Sequence, residues 1–232
     1  MSSSILITGS NRGLGLEFAR QYAANGWRVF ACCRNPHKAD ALQQLQLQHA
    51  GNLSLHELDV SDFRQIELVA HELSGKSLDV LLNNAGIYHK GKETFGSVDY
   101  EAWMEAFRVN SMAPLKMAET FVENLALGQQ KKIINITSKM GSIDDNTSGH
   151  HYLYRSSKTA LNMVTRSLAI DLAPLGITAI VMHPGWVQTD MGGFSAPTTV
   201  QQSIAGMRQV IARITPKDSG KFYGYDGKEI PW

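Results

Sequence analysis

Apolar runs of four to six residues alternate, along the length of the chain, with longer segments whose apolar residues recur at helical spacing. No other feature restricts the fold as much, because strand, helix, strand crossovers build a parallel sheet. Strands are expected at residues 4–8, 28–33, 53–58, 78–83, 132–137, 178–182 and 222–225. Helices are expected at 13–24, 38–48, 63–73, 100–125, 152–172 and 200–214. The predicted class is α/β: a doubly wound, seven-stranded, mostly parallel sheet with helices on both faces, in a single domain over residues 1–232. A chain of 232 residues that is 43% hydrophobic can fill one such core. No repeat, low-complexity tract or linker divides it. Ligands of such a sheet sit beyond the carboxyl ends of its strands, so chemistry is sought just after each strand. Residues 144–149 read as a polar loop, and 186–199 as a connection long enough to serve as a lid.

The first strand is followed by Thr8-Gly9-Ser10-Asn11-Arg12-Gly13-Leu14-Gly15, inside which a helical pattern begins. Glycines there let the backbone approach a pyrophosphate, and the exposed N–H groups and positive dipole end of a helix start favour an anion. A glycine cluster alone also reads as a tight turn. Its place between first strand and first helix points to a dinucleotide cradle. The second strand ends Cys33-Arg34-Asn35, with no carboxylate for the ribose hydroxyls of NAD and with an Arg of the kind that accepts the extra phosphate of NADP. Arg12 can close on the same phosphate. Each arginine alone reads as a solvated surface residue, whereas both at these two positions favour NADP(H).

Tyr154 and Lys158 stand four apart on a helical segment and so share one face. A free phenol titrates at about pH 10, and a neighbouring ammonium is expected to lower that value, making the phenol a usable general acid. Without context such a pair is an ordinary helix-surface neighbourhood. The context is a set of motifs. The loop from Thr8 to Gly15, Asn83-Asn84-Ala85-Gly86 after the fourth strand, Ser138 after the fifth and Tyr154-x-x-x-Lys158 on the next helix follow one another in this order.

Together these motifs resemble the short-chain dehydrogenase/reductase family over essentially the whole chain, which implies a Rossmann-type fold. The tail from Ser219 to Trp232 narrows the resemblance to the carbonyl-reductase-like branch that includes the sniffer-type reductases and the C-factor signalling protein. The resemblance implies that Tyr154 is the catalytic acid, that Lys158 tunes it and bonds the nicotinamide ribose, and that Ser138 donates to the substrate carbonyl. It assigns Asn110 to a proton relay; a buried or helix-kinking amide is an equal reading of that residue. On the cofactor side it implies Gly9, Ser10, Asn11, Arg12, Gly13, Leu14 and Gly15 with Arg34 for the phosphates, and Asp59 and Val60 for adenine. Asn83, Ala85 and Gly86 would lie along the adenosine and ribose, and Pro184, Gly185, Val187 and Thr189 along the nicotinamide carboxamide and phosphate. Ser138 lies 16 residues before Tyr154 and Ser142 lies 12 before it, so Ser142 is a rival; Asn135-Ile136-Thr137-Ser138 at the strand end favours Ser138.

Other classes fall away. Lys and Arg number 22 against 21 Asp and Glu, a balance with no basic block for nucleic acid or an anionic membrane. Adjacent Cys32 and Cys33 on a strand point to opposite faces and do not bridge. No stretch reads as a signal peptide or membrane span, and a cytoplasmic address is expected. His150 and His151 lack a third ligand at metal spacing and read as loop residues, so no metal is expected. The function expected is NADPH-dependent reduction of a ketone, aldehyde or quinone. The alternatives are an NADP-binding regulatory protein and the reverse alcohol dehydrogenation. A homodimer or homotetramer is possible through apolar faces on residues 113–125 and 152–172.

Overall fold

Ser4–Thr8 is buried along its whole length, as a strand covered on both faces must be, and it forms the centre of the computed structural model, which describes residues 2–89, 91 and 93–232. The strands are β1 (Ser4–Thr8), β2 (Arg28–Cys33), β3 (Leu53–Glu57), β4 (Val80–Asn83), β5 (Lys132–Ile136), β6 (Thr178–His183) and β7 (Phe222–Gly224). They make one sheet in the order β3-β2-β1-β4-β5-β6-β7, and every strand pair is parallel. The expected sheet is therefore present, wholly rather than mostly parallel, with β4 starting two residues later than expected.

The helices are α1 (Gly13–Ala24), α2 (Asp40–Gln48), α3 (Phe63–Glu72), α4 (Tyr100–Phe107), α5 (Ala113–Leu127), α6 (Tyr152–Asp171) and α7 (Val200–Arg213). Alternation along the strands divides the core into two layers. Ile5, Ile7, Val29, Ala31 and Cys33 face α1, α2 and α7, where Phe18, Leu42 and Met207 meet them. Leu6, Phe30 and Cys32 face the other way, onto Ile66, Met117 and Phe121 of α3 and α5. The two cysteines are free and lie in different layers, as the period of two requires.

The single helix expected over 100–125 is a correction. It is interrupted by a π-helical turn, Arg108–Met112, between α4 and α5. The extra residue is held by side-chain bonds to other segments: Asn110 bonds Ile87 and Ser157, and Ser111 bonds the Ser157 carbonyl. Such a turn often marks a functional position. No described helix is long and apolar enough to cross a membrane.

The strand order reverses at β1: the chain runs outward through β2 and β3, then crosses back to place β4 on the other side. Such a switch point opens a crevice at the carboxyl ends of β1 and β4.

Candidate active site

A cleft of about 500 Å³ opens at that switch point. On one side the glycine loop lines it from Asn11 to Gly15, along with Gly9. Its conformation is fixed by close packing. A Cβ on Gly15 would lie 2.2 Å from the Gly9 carbonyl oxygen, and Gly9 itself has φ +69°, a left-handed backbone that favours glycine. Asn84, after β4, locks the loop by donating from its amide to the carbonyls of Thr8 and Gly9 at 2.9 and 3.3 Å. The Thr8 hydroxyl accepts from the backbone of both Asn84 and Ala85. Asn84 and Thr8 have roles here that the sequence reading passed over, although both stand inside its motifs.

Further along the cleft lie Arg34, Asp59, Val60, Ala85 and Gly86, and beyond them Pro184 and Thr189. Arg34 is exposed. Arg12 also reaches the cleft, with its guanidinium paired to Asp190, a residue the sequence reading did not single out. Four expected cofactor residues support the walls instead of lining them. The Ser10 hydroxyl donates to the Ile7 carbonyl; Asn83 donates to Asn135 across β4 and β5 at 2.8 Å. Val187 is buried in a short bridge to Thr198. Gly185, at φ +88°, packs under the Tyr225 ring. In the connection expected as a lid, Trp186 and Phe194 are mostly exposed and do not line the cleft, whereas Thr189, Asp190 and Met191 do.

The other half of the cleft holds Tyr154 and Lys158, both on the first turns of α6. Lys158 is buried, and its Nζ donates to the Ile136 carbonyl at the end of β5 at 2.8 Å. It stands 5.8 Å from the centre of the Tyr154 ring. Burial pulls Lys158 down to about 8. Burial pushes Tyr154 up to about 12, an effect the hydrogen bond with Ser138 only partly offsets. The expectation that the ammonium lowers the phenol value is thus corrected: desolvation dominates, and the phenol keeps its proton across the neutral range.

Ser138 caps a short turn, Lys139–Gly141, and sits beside Tyr154. The rival Ser142 is turned away, donating to the Trp232 carbonyl at 3.1 Å and accepting from the Asp145 N–H. Among the bonds that hold this loop against α6, Thr137 donates to the Asn162 side chain at 2.7 Å, and Asn162 donates to the Gly141 carbonyl at 3.0 Å. Asn110 is fully buried just behind the site, closing a ring of bonds with Ile87 and Ser157. A Cβ on Gly86 would stand 3.2 Å from Asn110 Oδ1 and 3.4 Å from Lys158 Nζ. Asn110 and Lys158 therefore both border the space that a side chain at Gly86 would fill.

Tyr88 and His151 also stand at this end. The Tyr88 ring is edge-on to that of Tyr154, with centroids 5.0 Å apart and planes at 87°, and its hydroxyl shares a 3.1 Å hydrogen bond with His151 Nδ1. His151, read from sequence as a plain loop residue, is the residue from which α6 starts. Among the described residues no group of three or more His, Cys, Asp or Glu is placed to hold a metal.

Chemically, the arrangement offers a protonated phenol, a hydroxyl and an ammonium around one end of a cleft whose other end is a glycine cradle. Comparison with known proteins identifies the family. The family model described as short chain dehydrogenase matches residues 3–199. C-signal of Myxococcus xanthus is 43% identical over 155 residues, 67% of this chain and 93% of that protein. The solved carbonyl reductase Sniffer of D. melanogaster superposes with a TM-score of 0.95 at 35% identity, covering 100% of both chains. The NADPH-bound carbonyl reductase from chicken fatty liver superposes with a TM-score of 0.92 at 37% identity, covering 100% of this chain and 99% of that one. With the sheet, the glycine loop and the Ser138, Tyr154 and Lys158 cluster all in place, the chain belongs to the short chain dehydrogenase family.

Proposed function

We propose that this protein is an NADPH-dependent carbonyl reductase that uses Tyr154 as its proton donor. The observation that carries the reading is the convergence of Ser138, Tyr154 and Lys158 at one end of the cleft that the glycine loop and Arg34 line at the other.

The residues present fit the cofactor. The first turn of α1 has no side-chain cap and no acidic residue, which leaves its N–H groups for an anion. Arg34 stands where a carboxylate would select against a 2′-phosphate. Gly9, Asn11, Arg12, Gly13, Leu14 and Gly15 would hold the phosphates with Arg34; Asp59, Val60, Ala85 and Gly86 would line the adenosine; Pro184 and Thr189 would flank the nicotinamide end. Ser10, Asn83, Gly185 and Val187 support these walls from behind. When bound, NADPH supplies the hydride that reduces the carbonyl carbon.

The chain's own part is orientation and proton supply. Ser138 donates to the carbonyl oxygen and polarises it. Tyr154, protonated at neutral pH, gives its proton to the oxygen as negative charge develops there. Lys158, charged below about pH 8, places a positive group behind the phenol. Asn110 holds the Ile87 backbone and Ser157 in register beneath this cluster. The likeness to C-signal favours a second reading, a regulator that binds NADP(H) with little turnover.

NADPH and NADH oxidation by the purified protein against aldehydes, ketones and quinones separates the two. Turnover with NADPH, lost in Tyr154→Phe and shifted toward NADH in Arg34→Asp, supports the reductase. Tight NADPH binding without turnover of any carbonyl supports the regulator.

A further inference from the structure

Helix α6 begins without a cap of its own. His151, at its N-cap position, has a left-handed backbone (φ 54°, ψ 41°) and makes no side-chain cap bond. By contrast α3, α4 and α7 are capped by Asp62, Asp99 and Thr199. The first N–H groups of a helix need partners from somewhere, and here the segment after β4 supplies one. Glu93, only 6% exposed, turns a carboxylate oxygen onto the Leu153 N–H at 2.8 Å. Its backbone carbonyl accepts from the His151 N–H at 3.2 Å. Its second carboxylate oxygen is buried with no hydrogen-bond partner among the described residues. The carboxyl group of Glu93 thus faces the positive end of α6. Earlier in the same segment, Tyr88 presses its ring edge against Tyr154 and bonds His151.

These contacts converge on the first turn of α6, of which Tyr154 is the third residue. Lys158, one turn on, is anchored independently by the Ile136 carbonyl, and the helix beyond the first turn by the bonds from Asn110 and Ser111 to Ser157. A loosened first turn would therefore move Tyr154 relative to Lys158 and Ser138, and leave the glycine loop untouched.

We propose that Glu93, with the Tyr88 and His151 pair, positions Tyr154 from outside its own helix, making the segment after β4 the device that sets the proton donor against the carbonyl oxygen. The inference rests on the reading of Tyr154 as that donor.

Carbonyl reduction and NADPH affinity in Glu93→Ala, Glu93→Gln and Tyr88→Phe, beside Tyr154→Phe, test it. Misplacing a reacting group by about an ångström lowers rate by up to about 100-fold. Glu93→Ala is expected to lose about 10- to 100-fold in kcat, with NADPH Kd within about twofold of wild type. Glu93→Gln, which keeps an acceptor for the Leu153 N–H, should recover most of that loss. Tyr88→Phe, which keeps the ring and loses the bond to His151, should fall about 3- to 10-fold in kcat. The inference is overturned by wild-type kcat in Glu93→Ala, by a loss that tracks weakened NADPH binding, or by a Gln variant as impaired as Ala. If Glu93→Ala does not fold, wild-type kcat in Tyr88→Phe overturns it. An active Tyr154→Phe sinks the donor reading and this inference together, whereas an inactive one beside a fully active Glu93→Ala sinks the inference alone.

Discussion

Arg12 and Asp190 form an ion pair that ties the glycine loop to the connection after β6 across the cleft. Both side chains are mostly exposed, 67% and 69%, so the pair is worth at most about 1 kcal/mol and salt screens it. A phosphate that takes up Arg12 competes with Asp190 for the guanidinium. Asp190→Asn is therefore expected to tighten NADPH binding by up to about fivefold at low ionic strength, with the gain shrinking in high salt. Fluorescence titration with NADPH at two salt concentrations measures this, and a weaker affinity in the variant would mean that Asp190 holds the loop in its binding shape.

Ser138 and Ser142 separate by their partners. Ser138→Ala removes the hydroxyl beside Tyr154 and is expected to lower kcat by about 100-fold, as loss of one such donor does. Ser142→Ala removes a bond to the Trp232 carbonyl and should lower stability by about 1 kcal/mol while leaving kcat within about threefold of wild type. Paired kinetic and thermal-melting measurements on the two variants decide the assignment.

In the proposed mechanism Lys158 makes opposite contributions to stability and to catalysis. Its folded value of about 8 lies below the roughly 10.4 of an unfolded lysine, so the unfolded chain holds the proton more tightly. Stability from this group is therefore lowest below about pH 8 and rises as pH climbs from there toward about 10.4. Lys158→Met should raise Tm at pH 7 by about 2–6 °C, with the gain shrinking near pH 10, and should abolish reduction. In the unaltered protein, the reductive kcat/KM should fall as pH rises through about 8, while Tyr154, at about 12, still holds its proton. A pH profile flat to 10 would remove Lys158 from the mechanism.

Gly15 tolerates no side chain. A methyl there meets the Gly9 carbonyl and the Asn84 amide, at 2.2 and 2.7 Å, so Gly15→Ala must displace the loop. Overpacking of this kind costs about 1–3 kcal/mol, and NADPH affinity should weaken at least about tenfold with it. Denaturant unfolding and NADPH titration of the same preparation test both effects.

Much of this was legible from sequence because the decisive signals are local. Strands buried on both faces read as unbroken apolar runs, and the glycine loop and the Tyr154 and Lys158 pair each lie within one short segment. What sequence did not disclose depends on partners far along the chain. The π-helical turn continues the helical spacing of its neighbours, and only the bonds from Asn110 and Ser111 to Ser157, more than forty residues away, hold its extra residue. Ser142 was a credible rival until its partner 90 residues on was known. Arg12 looked available to a phosphate, and its present partner lies 178 residues further on. The phenol value was misjudged because spacing reveals a neighbouring charge and says nothing of desolvation.

The turn at Arg108–Met112 carries one residue more than the α-helical turn it replaces, which puts the flanking helices out of phase by about 100°. Removing a single residue there would turn one flank against the other by that angle. Met117, Phe121 and Leu125 pin the α5 flank in the core, so the rotation would fall on Asn110 and swing it off Ile87 and Ser157. In this stretch the number of residues matters more than most of their identities: a conservative substitution at Met112 should pass, and a one-residue deletion should not.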